Sequence, residues 1–169
     1  MLKTRVLTAL VIFPVTLAVV FLAPPLVFKG IIAILLMTGC HEFGRICDLP
    51  GRSAKILMVV QAGLFAALFL AWGRIIPHAI PVLAVGCAAW LVLFTRLATF
   101  KPGAEPDDAY RRFGFASSLI ALTFCWFALS WLHELPNGEL VLFLLLLIIW
   151  ASDTGAYFAG VKFGRNKLA

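Results

Sequence analysis

Apolar residues in this chain fall into long blocks separated by short connections that carry proline, glycine or charge. Six blocks can be drawn: Val6 to Ala23, Ile31 to Ile46, Ile56 to Trp72, Ile80 to Phe94, Phe113 to Leu132, and Leu140 to Gly160. A membrane-spanning helix needs about 20 predominantly apolar residues, so each block is read as one span even where it is somewhat short. Pro24-Pro25, Pro50-Gly51, Gly73, Pro102-Gly103 and Pro136-Asn137-Gly138 punctuate the connections. The fourth block opens on Pro77 and Pro81, which would kink it. The pattern predicts an all-α, polytopic transmembrane helical bundle of about six spans, with residues 1–169 forming a single helical unit.

Composition agrees with the pattern. Hydrophobic residues make up 63% of the chain and charged residues 13%, against about 45 to 50% and about 25% in soluble domains. Mean hydropathy is +1.03. The first block follows Lys3 and Arg5, as a signal peptide would, but it is longer than the roughly 7 to 15 apolar residues of a signal sequence and reads as a span.

Charge gives the topology, because Lys and Arg accumulate in cytoplasmic connections. Twelve of the 14 lysines and arginines fall in alternate regions that include both ends of the chain, leaving Lys29 and Arg74 for the others. Both termini are therefore expected on the cytoplasmic side. The stretch Thr99 to Arg112, with Glu105, Asp107, Asp108, Tyr110, Arg111 and Arg112, reads as a solvated hairpin there, and Asp107-Asp108 is a weak signal for a metal.

The four cysteines, Cys40, Cys47, Cys87 and Cys125, show no CxxC spacing and read as small buried hydrophobes. His41, His78 and His133 lie at helix ends or connections and read as structural or interfacial. Trp72, Trp126 and Trp131 fit interfacial anchoring. There is no Walker-type glycine loop, no GxGxxG and no Ser-His-Asp pattern, and no nucleic-acid partner is expected.

The sixth block carries the chemistry. Its apolar run continues without a break into Ser152-Asp153-Thr154-Gly155-Ala156-Tyr157. A carboxylate at the centre of a membrane helix costs roughly 2.5 to 3.5 kcal/mol on insertion scales, so it normally faces a bundle interior or a watery cavity and marks a site. Ser152, Ala156, Gly160 and Gly164 recur every four residues and would form a small-residue stripe against a neighbouring helix. Tyr157 lies one turn beyond Asp153, and Lys162, Arg165 and Lys167 follow. Glu42 is the other acid within an apolar block; it either faces the bundle near Asp153 or pairs with Arg45 at the helix end.

On these residues the chain resembles a known family. Asp153 to Gly160, with Phe163-Gly164-Arg165-Asn166-Lys167-Leu168-Ala169, is similar to the central segment of bacterial phosphatidate cytidylyltransferases, the CDP-diacylglycerol synthases. The basic start Met1 to Arg5 and the Glu42-Phe43 pair agree more weakly. In that family the Lys-Leu-Ala stretch leads into a Ser-Pro-Gly-Lys-Thr or Ser-Pro-Lys-Lys-Thr motif and later His-Gly-Gly and Asp-Arg-x-Asp, which lie beyond Ala169. Val161 stands where the family often has a basic residue.

The resemblance implies transfer of a cytidylyl group from CTP to phosphatidate in a bacterial cytoplasmic membrane. It implies Mg²⁺ as cofactor, with Asp153 as its ligand or as a group orienting one, and Tyr157, Lys162, Arg165 and Lys167 as substrate contacts. Partners so implied are CTP, phosphatidate, membrane lipids and a second copy of the chain in a homodimer. The principal metal-binding acids of the family lie outside these residues, so this stretch alone is expected to be inactive. Two other readings fit the residues: a small transporter or channel subunit in which Asp153 and Glu42 line an ion path, and a non-catalytic membrane scaffold.

Overall fold

The computed structural model describes the backbone of residues 2–95 and 107–164, and the side chains of residues 10–95, 107–162 and 164. Every element among the described residues is helical: α1 (Leu2–Leu22), α2 (Pro25–Ile46), α3 (Gly51–Leu70), α4 (Trp72–Ile75), a 3-10 turn (Ile76–His78), α5 (Ala79–Thr95), α6 (Asp108–His133) and α7 (Gly138–Phe163). Five stretches are long and apolar enough to cross a membrane: Pro25–Ile46, Gly51–Leu70, Trp72–Thr95, Asp108–His133 and Gly138–Lys162. The described apolar part of α1, Leu10–Leu22, is shorter. The chain is a multi-pass membrane protein.

All six apolar blocks are helical, but several helices start earlier than hydropathy places them, each for a local reason. Pro25 takes the first position of α2, where its missing N–H costs nothing, and Phe28 N–H donates to the Pro24 carbonyl at 2.9 Å. Pro50 precedes α3, so the polar turn Arg52 to Lys55 is helical. Asp107 caps α6 by accepting the Tyr110 N–H at 2.7 Å, and the expected hairpin residues Asp108 to Arg112 become its first turn. The remainder of that stretch, residues 99–106, lies outside the described residues. Pro77 sits in the 3-10 turn that joins α4 to α5, the interruption its ring predicts.

Packing divides the chain into two units, residues Met1–Ala23 with Leu132–Ala169, and Pro24–Trp131. In the first, α1 and α7 run antiparallel, with Phe21 against Phe143 at 5.7 Å and Phe13 against Trp150 at 5.4 Å between ring centroids. His133, expected to be structural or interfacial, is buried, with Nε2 3.2 Å from the Val20 carbonyl oxygen.

The second unit gathers α2 to α5 and most of α6 around Phe65, Ala79, Trp126 and Phe127. Trp126 does not anchor at an interface. It is 1% exposed, its ring lies 5.7 Å from Phe65 and 5.8 Å from Trp72, and its indole N–H donates to the Lys29 carbonyl at 3.0 Å. An indole can be buried when its one polar atom finds a partner, and here α2 supplies it. Lys29 itself is buried in α2, its ammonium 3.8 Å from the centroid of the Trp72 ring.

Gln61 on α3 is fully buried and donates to the Thr123 hydroxyl of α6 at 3.0 Å, an interhelical bond worth about 0.6 kcal/mol in a membrane bundle. Cys40 and Cys47 are buried as expected, whereas Cys125 is half-buried and Cys87 is exposed. Cys87 lies on α5, which has only a small buried face, so its thiol points away from the bundle.

Candidate functional site

The distal half of α7 is helical through the whole motif, because the run Leu140 to Trp150 has no break before Ser152 and the helix ends only at Phe163. Gly164 follows in an extended conformation, its N–H donating to the Gly160 carbonyl at 3.0 Å. Asp153 and Tyr157 are four residues apart and share a face. Both are exposed, Tyr157 at 56%, and the phenol ring packs edge-on to Phe158 at 5.6 Å. Lys162 is exposed on the last turn. Arg165 and Lys167 lie outside the described residues.

Every residue from Ala151 to Lys162 is exposed. Among the described residues the small-residue stripe is open within its own unit: a methyl group added at Gly160 would meet nothing within 4 Å. The packing of α7 on aromatic partners from α1 is made through Phe143 and Trp150, upstream of the stripe. Among the described residues the Asp153 carboxylate makes no hydrogen bond or ion pair, so neither Thr154 nor Tyr157 satisfies it.

Glu42 is paired within its own helix. Its carboxylate is 60% exposed and 3.3 Å from Arg45 Nη1, one turn on at the end of α2, the pairing that closes a helix at a polar boundary. Asp107 is used as the cap of α6, and Asp108 lies 3.7 Å from Arg111, so both carboxylates have partners within the fold.

No group of three or more His, Cys, Asp or Glu that could hold a metal occurs among the described residues. Mg²⁺ is commonly held by one or two carboxylates together with substrate phosphates. A single open carboxylate such as Asp153 fits the role of one such ligand and nothing more.

Sequence reasoning missed a grouping within the second unit, where Arg111 bridges Asp48 at 2.7 Å and Asp108 at 3.7 Å. Asp48 is far from the other two in sequence, and only the positive charge of the two connections hinted that they share one side.

Three relatives match this chain along almost its entire length. It is 29% identical to a phosphatidate cytidylyltransferase of Pseudomonas aeruginosa, covering 100% of this chain and 61% of the relative. It is 25% identical to one of Haemophilus influenzae, covering 100% of the chain and 64% of the relative. It is 27% identical to one of Thermotoga maritima, covering 99% and 58%. The chain thus spans about three fifths of the length of these relatives. No solved structure gives a significant match. The model of the cytidylyltransferase family matches residues 3–169, and the chain belongs to that family.

Proposed function

We propose that these residues form part of a phosphatidate cytidylyltransferase, which transfers the cytidylyl group of CTP to phosphatidate at the cytoplasmic face of a bacterial inner membrane. The observation that carries the reading is the open Asp153 carboxylate on a membrane-type helix, one turn from Tyr157 and ahead of Lys162, in a chain whose relatives bear that name. A buried bundle acid would be paired; this one is presented.

In this reaction a phosphate oxygen of the lipid bonds to the α-phosphorus of CTP, the bond from that phosphorus to the bridging oxygen of the β-phosphate breaks, and pyrophosphate leaves. The attacking oxygen is already largely ionised near neutral pH, so a strong base is not the main need. The difficulty is bringing two polyanions together. In this reading Asp153 helps to hold Mg²⁺, which when bound neutralises phosphate charge. Tyr157 offers a hydroxyl donor to a phosphate oxygen, and Lys162, Arg165 and Lys167 supply cations at the cytoplasmic end of α7.

The chain spans about three fifths of the length of its relatives, and residues 1–169 alone are expected to be inactive. A homodimer belongs to the same reading, as the family resemblance implies. The transport reading needs Glu42 in an ion path, and its exposed pairing with Arg45 lends that no support.

The test is incorporation of labelled CTP into lipid by membranes carrying the natural gene product. Conversion dependent on both phosphatidate and Mg²⁺ supports the reading; correctly inserted protein without conversion overturns it.

A further inference from the structure

Where α2 ends and α3 and α6 begin, the second unit has an open cleft of about 280 Å³. Leu49, Ile56 and Phe115 give it an apolar wall, and Ser53, Arg111 and Arg112 a polar one, with Asp108 and Pro50 completing the lining. It lies at one end of three helices long enough to span a membrane, where hydrocarbon gives way to water.

The charges around the cleft are unevenly committed. Glu42 is held by Arg45, Asp48 and Asp108 by Arg111, and Asp107 by the Tyr110 N–H. Among the described residues Arg52, Lys55 and Arg112 have no ion-pair partner. Among the described residues these four acids are occupied while three cations are not, and one of the three, Arg112, lines the cleft.

We propose that this cleft binds the headgroup of an anionic glycerophospholipid, with the phosphate on Arg112 and the Ser53 hydroxyl and the first acyl carbons along Ile56 and Phe115. Its volume lies near the lower end for ligand pockets, about 300 Å³, which suits a headgroup better than a whole lipid. A soluble phosphate would satisfy Arg112 but leave the apolar wall uncovered; an amphiphile covers both. None of its lining residues comes from α7, and the proposal does not rest on the proposed cytidylyl transfer.

The test is native mass spectrometry of the full chain, delipidated in neutral detergent and titrated with palmitoyl-oleoyl phosphatidylglycerol or phosphatidylcholine. One cation near the membrane surface corresponds to about a five-fold preference for the anionic lipid. The wild-type chain is expected to show at least that preference, Arg112→Gln to lose it, Arg112→Lys to keep most of it, and Arg74→Gln, at α4, to leave it unchanged. Equal retention of the two lipids, or an unchanged preference in a folded Arg112→Gln chain, overturns the proposal. Displacement of the bound lipid by equimolar glycerol 3-phosphate also overturns it, by assigning the site to a soluble phosphate.

Discussion

Arg111 grips Asp48 at two points, its Nη2 donating to the carboxylate at 2.7 Å and its Nε to the backbone carbonyl at 3.0 Å. The grip holds a strained residue. Asp48 has φ of 50° in the turn that ends α2, where its N–H donates to the Arg45 carbonyl and the Leu49 N–H to the Gly44 carbonyl, the pattern of a Schellman cap. Asp tolerates the left-handed region better than most residues, but glycine is usual there.

Two substitutions separate the turn from the clamp. Asp48→Gly removes the side-chain half of the clamp while suiting the backbone, and the pair is partly exposed, so a loss below about 1 kcal/mol is expected. Asp48→Ala removes the same contact and adds about 1 kcal/mol of left-handed strain. Thermal unfolding in detergent should rank the variants wild type, Gly, Ala; an alanine variant as stable as the glycine one would contradict the argument.

A second close approach lies beside this turn. A Cβ built at Gly114 on α6 would overlap the Cys47 side chain. Gly114→Ala should therefore destabilise by about 1 to 3 kcal/mol, the usual cost of overpacking. Cys47→Ala removes the obstructing sulfur but keeps the Cβ, which the added methyl would also overlap, so the double variant should recover part of that loss and not all of it. A cycle of the four proteins would read the coupling directly, and additive losses would show that the two residues do not compete for the space.

The same burial governs reactivity. Cys47 lies between α2 and α3, outside the spans, and burial pushes its thiol above the ordinary range. The thiolate is the nucleophile, so at pH 7 it should alkylate slowly, gaining rate as pH rises above the usual thiol value. Maleimide labelling followed by mass spectrometry should modify Cys47 only after denaturation in SDS. Rapid labelling of the folded chain would place the thiol at the surface.

What was readable in the sequence follows from which interactions are local. Hydropathy located all six apolar blocks because a span is a property of one segment, and prolines marked their breaks. It misjudged Trp126, because an indole in a core and one at a headgroup look alike until the partner carbonyl, on Lys29 far away in sequence, is known. Lys29 itself looked like a residue of a connection, since hydropathy alone does not show that the helix starts at Pro25. Asp153 stood out for the opposite reason: an acid within an apolar run is conspicuous without any tertiary knowledge. Its missing neighbours were not legible, and the described residues do not supply them.

Trp126 offers a quantitative check of the core. Trp126→Phe keeps most of the packing and gives up the hydrogen bond to Lys29, for an expected loss of about 1 kcal/mol, increased if the carbonyl is left dry. Trp126→Ala opens a cavity among Phe65, Trp72 and Phe127 and should cost about 3 to 5 kcal/mol. Equal effects from the two would mean that the ring is not packed.

Asp153 is where stability and activity should part. Its side chain is exposed and makes no hydrogen bond or ion pair among the described residues, so Asp153→Asn should change unfolding by no more than about 0.5 kcal/mol. If the carboxylate helps to hold the metal, the same substitution in the natural gene product should lower CTP-dependent lipid conversion by about 100-fold or more, the scale of losing one electrostatic contact to the transition state. The amide is nearly isosteric and cannot replace the charge, so added Mg²⁺ should restore only part of the rate. Tyr157→Phe, which removes one neutral hydroxyl from the same face, should cost less, about ten-fold. A folded Asp153→Asn enzyme with unchanged rate and unchanged Mg²⁺ dependence would remove Asp153 from the site and leave α7 a helix whose acid serves assembly alone.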